Sequence, residues 1–229
     1  MKNNNKFRLD VWGAITLGTI ALYALFLLYP MAYLIRQSVL DPDTGGFTLA
    51  YFTKFFSKSY YFDTLINSFK VSITATVLSI AIGTPLAYLF TIFKIKGKSV
   101  LNILIVVASM SAPFIGAYSW ILLLGRSGVI TAFFKNLGIA IPDIYGFGGI
   151  VLVMTLQLFP LVFLYAKGAL KNIDNSLIEA AENLGCSGIA CFFKVVVPLI
   201  MPTLLAAALL VFMRSFADFG TPMLIGEGY

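Results

Sequence analysis

The side chains able to do acid–base, nucleophilic or metal chemistry are few and dispersed: ten carboxylates scattered from Asp10 to Glu227, two cysteines, Cys186 and Cys191, and no histidine. An active site needs an acid, a base or a nucleophile brought together, and a transition-metal site needs nitrogen or sulfur ligands in number. These residues supply neither pattern, so the sequence predicts no catalytic residue, no metal site and no cofactor held by this chain. One stretch nevertheless concentrates charge and small residues between long apolar runs: NSLIEAAENLGCSGIACFFKVVVPLIMP, Asn175 to Pro202.

Local rules describe how that stretch is built. Ser176 to Glu179 has the Ser-x-x-Glu form of a capping box, which predicts Ser176 as the cap and Glu179 as the third helical position. Gly185 stands where a left-handed residue would end the helix. Ser187 then caps a second short helix, GIACFFKVVV, that runs into Pro198, with Pro202 at the entry to the next apolar run. Ala180 and Ala181 leave a smooth side that another surface can approach closely, with Glu179 and Glu182 as its acidic groups. A pure capping role for Glu179 would explain the first helix equally well.

The elements that hold this segment follow from composition. The chain of 229 residues is 59% hydrophobic and 11% charged, with a mean hydropathy of +0.92, against about 25% charged residues in a soluble domain. Charge-free runs at Val11–Ile35, Val71–Phe93, Ser99–Gly125, Phe147–Ala166 and Val195–Met213 each reach the roughly 20 residues that a helix needs to cross the hydrocarbon. Five transmembrane helices in an all-α, polytopic bundle are therefore expected. Outer-membrane strands would run for about 10 residues with alternating polarity, a pattern these runs lack. The first run exceeds the roughly 7 to 15 apolar residues of a signal peptide, so it is read as an uncleaved span.

The formal charge of +6 forms no stripe that would suit nucleic acid; short loops divide it. With the N-terminus inside, Lys2, Lys6, Arg8, the Lys94/Lys96/Lys98 cluster, Lys167, Lys171 and Lys194 fall on the cytoplasmic side. Both cysteines then lie in a cytoplasmic loop, as free thiols. Outside, Phe52, Phe55, Phe56, Tyr60, Tyr61 and Phe62 with Lys54 and Lys58 fit a short helix at the outer headgroups or an ordinary packed loop helix. Helix breakers inside the spans, Gly83 with Pro85, Pro113 with Gly116, and Pro160, either line a pathway or serve packing. Asp218, at the outer end of the last span, could guide a cation or pair with Arg214 one turn away.

Glu179-Ala180-Ala181, three residues, Gly185, nine residues and Val195-x-Val197-Pro198 resembles the EAA loop of binding-protein-dependent ABC importer permeases, EAA-x3-G-x9-I-x-L-P. Val195 replaces isoleucine and Val197 replaces leucine. The resemblance extends through NSFKVSITATVLSIAIGTPLAYLF at Asn67 to Phe90. SAPFIGAYSWILLLGRSGVIT, from Ser111, and FADFGTPMLIGEGY, to Tyr229, are most similar to the ferric-iron branch, with the aminoethylphosphonate, thiamine and polyamine branches close by.

The resemblance implies a type I ABC importer-like fold with six spans in a complete half, divided here into residues 1–66, a first span and outside loop, and residues 67–229, the permease domain, with its EAA loop at about 172–198. Members of this branch continue with a further span and often a second EAA loop, so the chain is expected to be the N-terminal part of a longer permease. Implied partners are an ABC ATPase dimer that binds the ATP, an extracytoplasmic solute-binding protein, a second permease half or fused repeat, and the lipid bilayer of a prokaryotic inner membrane. Glu179, Ala180, Ala181, Gly185, Val195 and Pro198 would dock on the ATPase, while Pro85, Pro113, Gly116 and Asp218 are candidates for the pathway or its hinges. No Gly-x4-Gly-Lys-Ser/Thr phosphate loop is present. An ion-coupled secondary transporter would bury charged relays in its spans, and the five runs contain none.

Overall fold

Proline and glycine decide where the apolar runs become helices. The computed structural model describes residues 11–41, 44–93, 96–110, 112–139, 142–186 and 188–226; Lys2, Lys6, Arg8, Lys94 and the expected cap Ser187 lie outside them. Among the described residues the elements are helices, with one isolated bridge from Leu40 to Phe47. The helices are α1 (Val11–Ser38), α2 (Ala50–Ser57), α3 (Ser59–Ile92), α4 (Lys98–Ser109), α5 (Pro113–Leu124), α6 (Val129–Asn136), α7 (Phe147–Lys171), α8 (Asn175–Asn183), α9 (Gly188–Phe216) and α10 (Gly220–Ile225). Four of them, α1, α3, α7 and α9, are single helices long and apolar enough to cross a membrane, and the fifth candidate span is Phe114–Asn136.

The fifth candidate corrects the sequence expectation of one span over Ser99–Gly125. That run is two helices of 12 residues each, α4 and α5, and each is only about 18 Å long. The break is Pro113, whose ring disfavours helical geometry in the preceding residue; Ala112 is extended, with ψ 142°. Pro113 therefore starts a helix instead of kinking one.

The chain forms two compact units, divided after Leu65. In the first, α1 buries none of its residues, as expected of a helix apolar all round. A π turn over Ala24–Leu28, closed by the Tyr29 N–H on the Ala24 carbonyl, lies just ahead of Pro30. The expected aromatic helix is split at Lys58, which is extended with ψ 113°. Phe55 of α2 stacks on Tyr61 of α3 with centroids 5.5 Å apart, so Tyr60, Tyr61 and Phe62 belong to the start of a long helix.

In the second unit α7 is the axis. Ile150, Met154, Leu158 and Val162 recur every four residues and are buried, as are Val153, Phe163 and Ala166. On α9, Ile200, Leu204, Ala207 and Val211 form the matching buried face. On α3 the buried positions 71, 75, 79, 83 and 87 are Val, Ala, Ser, Gly and Ala, a ridge of small residues that lets two helices approach closely. A Cβ on Gly83 would lie 2.8 Å from the Val162 Cβ and 2.9 Å from the Phe159 carbonyl, which puts that contact beside Pro160. The many exposed leucines, isoleucines and phenylalanines on the outer faces are what a lipid-solvated bundle presents, because lipid tails solvate them as well as a protein core does.

Candidate functional site

The segment after α7 turns at Asn172 and Ile173 and enters α8 through Asp174. The Asp174 carboxylate accepts the Ser176 N–H at 3.0 Å, so Asp174 is the cap and Ser176 lies inside the helix. This corrects the expected capping box. With Asp174 as the cap, Ile173 and Ile178 occupy the positions of a hydrophobic staple, and both pack against the core. A Ser176 cap would put Asn175 and Ala180 there instead.

The Ser176 N–H and hydroxyl hold the Asp174 pKa below the ordinary carboxylate value. A lowered folded-state pKa contributes stability that is complete above the unfolded carboxylate range and lost as pH falls through the folded value. Protection against hydrogen exchange at the first turn of α8, taken relative to the intrinsic rate at each pH, is therefore expected to fall under acid conditions below that range, and Asp174→Ala is expected to lower it at neutral pH. Protection that is indifferent to both changes would remove Asp174 as the cap.

At its other end α8 closes in the Schellman arrangement. Gly185 has φ +85°, and the Cys186 N–H bonds the Ala181 carbonyl at 3.0 Å, satisfying a terminal acceptor. Glu179, Ala180 and Gly185 are exposed and Ala181 is half-buried, so α8 turns Glu179 and Ala180 away from the bundle. Leu184 and Ile189 beside them are 89% and 79% exposed. Sequence reading missed these two, whose only signal was an apolar residue on each side of a glycine turn. Neither cysteine is in a disulfide; Cys191 is buried and Cys186 part-exposed.

The second short helix expected in the segment is not separate from the last span. α9 runs through from Gly188 to Phe216, with a π turn over Phe192–Val196 closed by the Val197 N–H on the Phe192 carbonyl. Proline lacks an N–H and its ring clashes with the carbonyl four residues back. The wider turn directly ahead of Pro198 gives the ring room, as the one ahead of Pro30 does. Val195 is half-buried and Pro198 exposed on this rod.

A second feature is a cleft of about 850 Å³ at the far end of α9, lined by Ser109, Met110, Phe114, Gln157, Leu158, Leu161, Arg214 and residues Ala217 to Gly220. Asp218 lines it, but its carboxylate is engaged. One oxygen accepts the Gly220 and Thr221 N–H groups at 2.9 and 3.3 Å, and the other accepts the Thr221 hydroxyl at 2.7 Å. Asp218 thus caps α10; the ion pair within 4 Å among the described residues is Arg126–Asp143, which replaces the expected Arg214–Asp218 pair. Asp218→Asn preserves a capping side chain and is expected to leave thermal stability almost unchanged, whereas Asp218→Ala is expected to cost about 1 kcal/mol; equal losses in a melting assay would contradict the capping role. Among the described side chains at the start of α5, only Phe114, between Pro113 and Gly116 in sequence, lines the cleft, while Pro85 is half-buried on α3, two residues beyond the Gly83 contact. Gln157, an amide in a charge-free run, is the cleft residue that sequence reading overlooked.

Residues 45–229 match the family described as "Binding-protein-dependent transport system inner membrane component". The chain belongs to this family. This inner membrane component is similar to the ferric transport system permease protein FbpB of Actinobacillus pleuropneumoniae, with 28% identity over 100% of this chain and 33% of that protein. It is equally similar, at 28% identity, to the spermidine/putrescine transport system permease protein PotB of Haemophilus influenzae, over 97% of this chain and 79% of that one. The chain thus spans about a third of the length of the ferric relatives it matches. Among solved structures, a bacterial ABC transporter that imports the polysaccharide alginate matches with a TM-score of 0.70 at 18% identity, covering 95% of this chain and 78% of that one; at that identity the likeness concerns the fold.

Proposed function

We propose that this inner membrane component is a permease part of an ATP-driven importer, with ferric iron as its cargo. The observation that carries the reading is α8: a capped, Schellman-closed helix whose Glu179, Ala180 and Gly185 face outward beside two strongly exposed apolar residues. An exposed apolar group rimmed by polar residues marks a contact surface, and the contact fits a separate ATPase dimer on the cytoplasmic side. Because α8 packs against the first turns of α9, which is one rod from Gly188 to Phe216, displacement of docked α8 tilts the last span. ATP binding then biases a bundle with two states, inward-open and outward-open, and needs only contacts that differ between them. The ATPase does the hydrolysis; this chain does no chemistry on the cargo.

The N-terminus is cytoplasmic in this reading, and the cleft at the far end of α9 opens toward an extracytoplasmic binding protein. A second permease half or fused repeat completes the pathway. The ferric relatives support iron, which the cleft would pass without chelating it. The polyamine alternative rests on PotB, and either cation would meet Arg214 and the engaged Asp218 carboxylate in the cleft. Two measurements test the proposal. A cysteine at Ala180→Cys is expected to crosslink to a co-expressed ATPase in the assembled complex, and uptake of radioactive ferric iron is expected to require this chain. No crosslink would sink the docking; uptake of spermidine without iron would reassign the cargo.

A further inference from the structure

The end of α3 and the first turns of α4 meet the last two turns of α7 in a crevice of about 460 Å³, lined chiefly by Phe90, Thr91, Lys98, Asn102, Lys167 and Lys171. We propose that this crevice binds the phosphate headgroup of an anionic phospholipid.

Three lysines from two helices converge there, and no carboxylate is among the lining residues. Like charges gathered without an acidic partner repel one another, and a bound anion relieves that repulsion. Lys167 is aimed by two contacts: its Nζ donates to the Asn102 Oδ1 and stands 5.5 Å from the Phe163 ring centroid. Lys98 and Ser99 contribute the first turn of α4, whose cap, Gly97, has φ +80° and no side-chain bond to the helix. The N–H groups of that turn, like the positive end of the helix, favour an anion.

The apolar continuation commits the ligand to a lipid. Ile103 lines the crevice, and Val100, Leu104 and Val107 follow it along α4, each about 60% exposed. An acyl chain leaving the headgroup would lie on this face, for which a soluble phosphate has no use. Basic pockets between helices at the cytoplasmic side suit anionic headgroups, at about 1 kcal/mol for each lysine near the surface. Binding itself does not depend on the transport reading. Its consequence does: α7 leads through Asn172 to Asp174 into α8, so a headgroup held by Lys167 and Lys171 braces the base of the docking helix.

The test uses the full chain in phosphatidylcholine nanodiscs titrated with phosphatidylglycerol, with retained lipid counted by native mass spectrometry. The variant Lys98→Gln/Lys167→Gln/Lys171→Gln is expected to bind phosphatidylglycerol roughly a hundredfold more weakly, about fivefold per lysine. The corresponding three arginine substitutions are expected to retain binding, and Lys54→Gln/Lys58→Gln/Lys135→Gln to leave it unchanged. If the triple glutamine variant melts early, the single Lys171→Gln, at an exposed side chain, is expected to show the fivefold loss alone. Undiminished binding by the triple glutamine variant and by Lys171→Gln overturns the proposal. So does displacement of phosphatidylglycerol by millimolar inorganic phosphate, which would mark a soluble-anion site, or protection of the lysines only by a bound partner protein.

Discussion

With α8 docked on the ATPase as proposed and Glu179 facing a basic group of that partner, Glu179→Arg is expected to cut uptake by the assembled transporter roughly a hundredfold, because removing one member of a close interfacial charge pair costs about 2–5 kcal/mol. Within the chain the change should cost little. Glu179 is exposed on the outward side of α8, the ion pair within 4 Å among the described residues is Arg126–Asp143, and arginine is as good a helix former as glutamate. The thermal midpoint of the isolated chain is thus expected to hold while the ATPase no longer copurifies. Gly185 gives an internal control: a Cβ there meets nothing within 4 Å, so Gly185→Ala costs only the left-handed backbone, about 1–2 kcal/mol. A transport loss well beyond that local cost would have to arise against the partner. Normal uptake and normal copurification with Glu179→Arg would contradict docking through α8.

The second large effect is structural and falls on one of two adjacent glycines. Gly149→Ala is expected to destabilise the chain by about 3 kcal/mol or more, at the upper end of what overpacking costs, whereas Gly148→Ala should be neutral or slightly stabilising. A Cβ on Gly149 would lie 1.4 Å from the Ile144 carbonyl oxygen, while one on Gly148 has nothing within 4 Å. The Ile144 turn cannot yield readily, since Ile144 is buried and the Gly146 N–H is tied to the Ile225 carbonyl at 2.8 Å. Melting of the two variants in detergent decides the matter; equal midpoints would mean that the turn moves.

Much of this architecture was legible because hydropathy over 20 residues is a local property. The runs at Val11, Phe147 and Val195 became α1, α7 and α9 with only their ends moved. The run from Ser99 failed because its mean hydropathy hides Pro113, whose effect on Ala112 is steric and breaks the run into two short helices. The cap of α8 was misassigned because Asp174 and Ser176 are both good caps. Ile173 and Ile178, which can pack on the core only when Asp174 leads the helix, decide between them.

The sequence by itself determined that the chain lives in a membrane as helices and that Glu179, Ala180, Ala181 and Gly185 share a short polar segment with a glycine turn. Both follow from composition, period and spacing along the chain. Only the tertiary structure decided that the helix after the glycine turn, from Gly188, is continuous with the last span, that Leu184 and Ile189 stand exposed beside the polar residues, that Asp218 caps α10 instead of pairing with Arg214, and that Gly149 and not Gly148 lacks room for a Cβ. Each of these depends on which backbone or side chain arrives from elsewhere to fill, or leave open, a few ångströms of space, and no window along the sequence contains that neighbour.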